Sequence, residues 1–137
     1  MKNISNIFGI RVHIFKFIPE LANFSIRTPG LYVSLSAEGI LSENDEFNHI
    51  IRKPSSYCFA DGIGTVLSVR SLHGMKAKKL PGCELWLDVL AKTLGARVAL
   101  VGATPNVLKN TCKKLSQEFR ANVVYQHDGY FTSDDVL

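Results

Sequence analysis

Residues 57–64, Tyr-Cys-Phe-Ala-Asp-Gly-Ile-Gly, constrain the fold more than any other stretch. An apolar run ends on one carboxylate, Asp61. Gly62 and Gly64 follow, and apolar residues then recur at Ile63, Val66, Leu67 and Leu72 with a roughly helical beat up to Gly74. A short, nearly continuous apolar run is the habit of a strand buried on both faces of a parallel sheet. A helix directly behind it is the return crossover. Asp61 then stands at the carboxyl end of a strand, where ligands bind in open α/β sheets.

The same grammar recurs. Residues 31–35 read as a strand after the Pro29-Gly30 turn, and residues 36–53 as one helix, with acids early, Arg52 and Lys53 late, and Pro54 as its stop. Residues 84–94 give an amphipathic helix with Leu85, Trp86, Val89, Leu90 and Leu94 on one side and Gly95 as its stop. Residues 97–101 read as a buried strand and residues 106–119 as a helix, with Thr104 as N-cap, Pro105 in the first turn, and Val107, Leu108, Thr111, Cys112 and Leu115 inward. Residues 122–126 form the last strand. Before all these, residues 7–15 read as an edge or early strand and residues 19–26 as a short helix. The alternation predicts an α/β fold with a largely parallel sheet and helices on its faces. After the last strand, Thr132, Ser133, Asp134 and Asp135 resemble a helix cap, yet the sequence stops at Leu137.

A length of 137 residues suits one domain, and 46% hydrophobic with 20% charged residues is a globular composition. The net charge of +4 is spread out, without the aromatic-laced basic stripe of a nucleic-acid binder, so nucleic acid is not an expected partner. Anionic partners fit the charge better: nucleotide diphosphates or an acidic membrane surface. Cys58, Cys83 and Cys112 are odd in number and widely spaced, which suggests neither a disulfide framework nor a zinc site. No apolar run reaches the ~20 residues of a spanning helix. Membrane contact is therefore expected to be peripheral.

Few residues offer chemistry. Asp61 reads either as an N-cap of the following helix or as a general base, and one carboxylate can do both. Gly102, Thr104 and Pro105 form either an ordinary strand-to-helix turn or a cradle of free N–H groups for a diphosphate. Asp128, Gly129 and Tyr130 add a carboxylate, a flexible backbone and an aromatic ring, while Phe131 and Trp86 read as core. Lys79, just before Pro81-Gly82, is placed to meet a phosphate; Lys76 and Lys78 read as a solvated loop. His13, His49, His73 and His127 have no metal-binding partners in the pattern, so no metal is expected.

Four segments together resemble the WecG/TagA/CpsF glycosyltransferases (family 26): Phe59-Ala60-Asp61-Gly62-Ile63-Gly64, Leu80-Pro81-Gly82-Cys83-Glu84-Leu85, Val101-Gly102-Ala103-Thr104-Pro105 and Asp128-Gly129-Tyr130-Phe131. The resemblance covers residues 31–131, with residues 1–30 a less certain amino-terminal segment. Gln126-His127-Asp128-Gly129-Tyr130-Phe131 is most similar to the branch that transfers N-acetylmannosaminuronic acid into enterobacterial common antigen.

The resemblance implies a Rossmann-like α/β sheet and an inverting hexosyl transfer without metal or other cofactor. An N-acetylmannosamine-type sugar would move from UDP to undecaprenyl-diphosphate-linked N-acetylglucosamine. The protein would be cytoplasmic, peripheral at the inner face of the bacterial plasma membrane; self-association stays open. Asp61 takes the place of the family's base. Ser36, Gly62, Lys79, Gly102, Thr104, Asp128, Gly129 and Tyr130 would bind substrate. Ser36 stands where the family usually has Asn, and Lys79 where it often has Arg. The family continues past its Gly-Tyr-Phe motif with further strands, a Pro-Lys-Gln-Glu motif and a basic tail. The expectation is thus of a single incomplete domain with little activity alone. A non-catalytic nucleotide-binding module and the inactive remnant of a disrupted gene are the alternatives.

Overall fold

The structure, a computed structural model, describes residues 4–132. The chain divides into two compact units, Met1–Val89 and Leu90–Leu137. The first holds β1 (Ile4–Ile7), β2 (Ile10–His13), α1 (Ile18–Arg27), β3 (Leu31–Leu35), α2 (Ala37–Ile40), α3 (Asp45–Ile51), β4 (Ser56–Ala60) and α4 (Ile63–His73). The division falls within α5 (Gly82–Lys92), and the second unit holds β5 (Arg97–Val101), α6 (Pro105–Glu118) and β6 (Asn122–His127). The fold class is α/β, as the sequence predicts. Ser133, Asp134 and Asp135 of the cap-like ending lie outside the described residues.

The first unit carries a four-stranded sheet in the order β1-β2-β4-β3. Strands β2, β4 and β3 are parallel, and β1 runs antiparallel to β2 at the edge. The single strand expected over residues 7–15 is therefore a hairpin. Its tip explains the difference: Phe8 and Gly9 have φ of 49° and 82°, the positive values that a two-residue type I′ turn needs. Asn6 Oδ1 accepts the Gly9 N–H at 2.8 Å and steadies the turn.

Strand β4 is buried on both faces, as its apolar run suggests. Cys58 and Ala60 join Val12, Leu35, Ile51, Val66 and Val69 in one core cluster. Phe59 points the other way, to Leu21 and Ala22 of α1 and to Leu80 and Leu85. This alternation follows from the period of two along a strand. It places helices on both sides of the strand that ends at Asp61.

Gly30 sits where no side chain fits. A Cβ there would lie 2.5 Å from both the Ser55 carbonyl oxygen and the Tyr57 ring. The same Ser55 oxygen accepts the Leu31 N–H at 2.9 Å, so it cannot retreat freely. Gly30→Ala is expected to destabilise the protein by about 1–3 kcal/mol through overpacking. Urea unfolding of the two proteins checks this as a lower midpoint at unchanged slope.

The buried Cys58 thiol donates to the Ile51 carbonyl at 3.7 Å. Loss of water around it pushes its pKa up from 9.0 to about 11, against a smaller downward pull from Arg11. The protonated thiol is thus favoured by folding. Its contribution to stability is present below pH 9.0 and is lost as the pH rises through about 11. At pH 8 a thiol reagent is expected to label exposed Cys83 first and to leave Cys58 untouched until the protein unfolds. Peptide mapping of the labelled cysteines reads this directly.

Three helical expectations before β5 need correction. Residues 36–53 form two helices, α2 and α3, because Asn44 starts a new one: its Oδ1 accepts the Phe47 N–H at 2.8 Å. On α4 the buried residues are Thr65, Val66 and Val69, while Ile63, Leu67 and Leu72 are exposed. On α5 Leu85 and Leu90 are buried, but Trp86 is 41% exposed rather than core.

The second unit pairs β5 and β6 in parallel, with a register shift between Val98 and Ala99. Its core is Leu90, Leu115 and Ala121, with Val98, Leu100, Phe119 and Val123 against them. Strand β5 is not buried as expected: Arg97, Ala99 and Val101 are exposed. The core takes its side chains from one face of this two-stranded sheet, and Arg97, Ala99 and Val101 alternate away from it. On α6 Leu108 and Leu115 are buried, whereas Val107 is 53% exposed.

Candidate active site

The first cluster gathers at the carboxyl ends of β3 and β4. The Leu35 carbonyl accepts the Asp61 N–H at 3.2 Å and the Thr65 hydroxyl at 2.7 Å. Thr65 is fully buried, so this bond pins the first turn of α4 to the end of β3. The N-cap of α4 is Gly62, with no side-chain capping bond. The capping reading of Asp61 on its own helix is therefore overturned. Asp61 instead reaches across to α5, where its Oδ2 accepts the Gly82 N–H at 3.1 Å.

That bond has a clear physical basis. Gly82 is the first residue of α5, whose leading N–H groups lack partners within the helix. A carboxylate there also meets the positive end of the helix dipole. Gly82 has to be glycine, since a Cβ would lie 2.9 Å from Ser34 Cβ and 3.4 Å from Asp61 Oδ2. The preceding segment is fixed as well: Leu80 is buried and its N–H donates to the Ala60 carbonyl at 2.7 Å.

Gly62 and Gly64 also acquire a structural reason. A Cβ on Gly62 would lie 3.3 Å from Ser36 Cα, and one on Gly64 would lie 2.9 Å from Ala37 Cβ. The glycines admit α2, not a ligand alone. Ser36 is the N-cap of α2, accepting the Gly39 N–H at 3.2 Å, so its hydroxyl oxygen is partly committed while its proton remains to be donated. Lys79 is exposed and forms no ion pair with another described residue. Asp61, Ser36, Gly62 and Gly82 thus form one constellation, with Ser34 exposed beside it.

The second cluster lies within the second unit, at the carboxyl ends of β5 and β6. Gly102 donates its N–H to the His127 carbonyl at 2.8 Å. Gly102, Ala103 and Gly129 have φ of 121°, 67° and 91°. A Cβ on Gly129 would lie 3.3 Å from Gly102 Cα, so the two turns touch through glycine backbone. Asp128 Oδ1 accepts the Tyr130 N–H at 3.0 Å, a local turn that holds the Asp-Gly-Tyr segment in shape. His127 Nδ1 accepts the Gly129 N–H at 3.1 Å, and its ring stacks on Phe131 with centroids 4.2 Å apart. Phe131 is therefore a half-exposed stacking partner rather than core, and His127 is a structural member of the turn. Tyr130 is 83% exposed.

Thr104 takes the N-cap position of α6, but its side chain makes no capping bond. Its hydroxyl and the first N–H groups of α6 are thus available to an anion. Beside them lies a pocket of about 460 Å³ lined by Pro105, Leu108, Lys109, Gln126, His127 and Asp128. Gly102 and Thr104 on one turn and Asp128, Gly129 and Tyr130 on the next thus stand at adjoining strand ends of the second unit.

Sequence reasoning missed Thr65, Ser34 and the link between Gly82 and Asp61. Thr65 falls four residues after Asp61, inside a helical pattern, and looks like any first-turn threonine. The Gly82 link joins residues 21 positions apart and carries no local signal. Among the described residues no group of three His, Cys, Asp or Glu side chains is placed to hold a metal ion.

Each unit is α/β and has parallel strands that end at the start of a helix, the kind of strand end at which open α/β sheets bind their ligands. The family is settled by comparison: residues 5–136 match the model of the glycosyl transferase WecG/TagA/CpsF family, and the chain belongs to it.

Proposed function

We propose that this protein acts in an inverting transfer of an N-acetylmannosamine-type sugar, first of all N-acetylmannosaminuronic acid. The donor is the UDP-sugar. The acceptor is undecaprenyl-diphosphate-linked N-acetylglucosamine at the cytoplasmic face of the bacterial plasma membrane, in assembly of a surface polysaccharide of the enterobacterial common antigen type. Family membership supports glycosyl transfer. The observation that carries the assignment of the base is the Asp61 carboxylate, held through Oδ2 by the Gly82 N–H.

That bond occupies Oδ2 and leaves Oδ1 to take a proton. In the proposed step the acceptor hydroxyl oxygen attacks the anomeric carbon as its proton passes to Asp61. The bond from the anomeric carbon to the diphosphate oxygen breaks, and its electron pair leaves with UDP. The configuration inverts because attack and departure occur on opposite faces. Developing charge on the diphosphate calls for fixed N–H dipoles and cations. Gly102, Thr104, Gly129, the start of α6 and Lys79 have the chemistry for that role. Ser36 and Gly62 would contact substrate beside Asp61, and Asp128 and Tyr130 would hold the nucleotide-sugar. No metal or other cofactor has a part in this reading.

The test is a transfer assay with UDP-N-acetylmannosaminuronic acid, UDP-N-acetylmannosamine and UDP-N-acetylglucosamine as donors and the lipid-linked acceptor. Calorimetry with UDP runs alongside it. Turnover with one mannosamine-type donor supports the reading and names the sugar. UDP binding with no form of the protein turning over any donor favours a nucleotide-binding module. The absence of both sinks the proposal.

A further inference from the structure

The carbonyl of Leu35, the last residue of β3, accepts from three donors at the corner between β4 and α4. They are the Asp61 N–H at 3.2 Å, the Gly62 N–H at 3.5 Å and the Thr65 hydroxyl at 2.7 Å. The hydroxyl bond is the shortest of the three. A threonine in a helix commonly turns its hydroxyl to a carbonyl three or four residues back. Thr65 instead reaches a carbonyl 30 residues earlier in the chain. Thr65 and Leu35 are both fully buried, so the bond is shielded from water.

That one carbonyl ties together two strand ends of the candidate site. Ser36 directly follows Leu35, and its hydroxyl oxygen caps α2. Asp61 and Gly62 hang on the same Leu35 oxygen, and a Cβ on Gly62 would lie 3.3 Å from Ser36 Cα. A carbonyl oxygen has two lone pairs. With Thr65 on one, the two longer amide bonds share the other. Packing alone does not ask for the hydroxyl. Burying one costs free energy, and valine offers nearly the same shape with no polar group to satisfy. What the hydroxyl adds is a fixed direction for the Leu35 carbonyl, and with it a fixed place for the Asp61 backbone.

We propose that Thr65 is a positioning residue for Asp61. Through the Leu35 carbonyl its hydroxyl holds the Asp61-Gly62 turn against the end of β3, so that Asp61 Oδ2 meets the Gly82 N–H at 3.1 Å. The consequence for rate rests on the reading of Asp61 as the base; the consequence for the geometry of the turn does not.

Thr65→Val removes the hydroxyl and Thr65→Ser keeps it; Thr65→Ala replaces the valine variant if that fails to fold. NMR of the full chain reads the Gly82 amide proton, whose shift follows the ionisation of Asp61 through their bond. In Thr65→Val this pH-dependent shift is expected to shrink by about half or more, because a hydrogen bond weakens steeply once misaligned. Thr65→Ser should restore it. The Tyr130 amide, bonded to Asp128 Oδ1 at 3.0 Å, is the control and should titrate alike in all variants. In a form of the protein that turns over, Thr65→Val is expected to lower kcat about ten- to a hundredfold at nearly unchanged KM, with recovery in Thr65→Ser. The proposal is overturned if the Gly82 shift is unchanged in Thr65→Val, if Thr65→Ser behaves as valine does, or if the Tyr130 shift shrinks as well. It is also overturned if Thr65→Val keeps the full rate where Asp61→Asn loses it. An unchanged rate in Asp61→Asn sinks the base reading instead and leaves the Gly82 shift to decide this one.

Discussion

Asp61→Asn is expected to lower the transfer rate about 10²–10⁴-fold with little change in KM, the range for loss of a general base. The reason for such a clean effect is geometric. Asn keeps an oxygen that accepts the Gly82 N–H, so the contact at 3.1 Å survives. What disappears is the basic lone pair that takes the acceptor's proton. The loss of charge at the start of α5 should cost only about 0.3–1 kcal/mol of stability. Asp61→Ala should cost more, since the Gly82 N–H then loses its partner. The rate is measured on any form of the protein that turns over, and the melt on this chain. An unchanged rate for Asp61→Asn would remove Asp61 from the chemistry; a large fall in stability would instead make it chiefly structural.

Phe59→Ala is expected to destabilise the protein by about 3–5 kcal/mol. Phe59 is 2% exposed and packs in one cluster with Leu21, Ala22, Leu80 and Leu85. Removing the ring leaves a cavity that a central strand cannot close, because β4 is hydrogen-bonded to β2 and β3. That loss is a large share of the 5–15 kcal/mol typical of a folded domain. Equilibrium unfolding in urea checks it; a loss below ~1 kcal/mol would mean that α1 and the segment around Leu80 collapse onto the gap.

Much of the fold was legible because its signals are local. The apolar run into Asp61, the helix stop at Gly74 and the Thr104-Pro105 start of α6 depend on a few neighbouring residues. Errors came where one residue outweighed a pattern. Gly9 turned an expected strand into a hairpin, and Asn44 divided an expected helix. The stripe on α4 was read one position off its true buried face. Ile63 and Leu67 fit a helical beat as well as Val66 and Val69 do, and only the sheet beneath decides which pair is covered.

Asp61 shows where the division falls. The sequence by itself determined that a lone carboxylate would stand at a strand's carboxyl end, since residues 57–64 allow few other structures. The glycine turns at Gly102 and Gly129 were likewise readable as positions free of side chains. Only the tertiary structure decided what Asp61 bonds to. Its partner is the Gly82 N–H, 21 residues further on, and the contact exists because Gly82 has no Cβ to strike Ser34. Hydrogen bonds between distant segments leave no periodicity behind them, so the chain has to fold before its carboxylate acquires a direction.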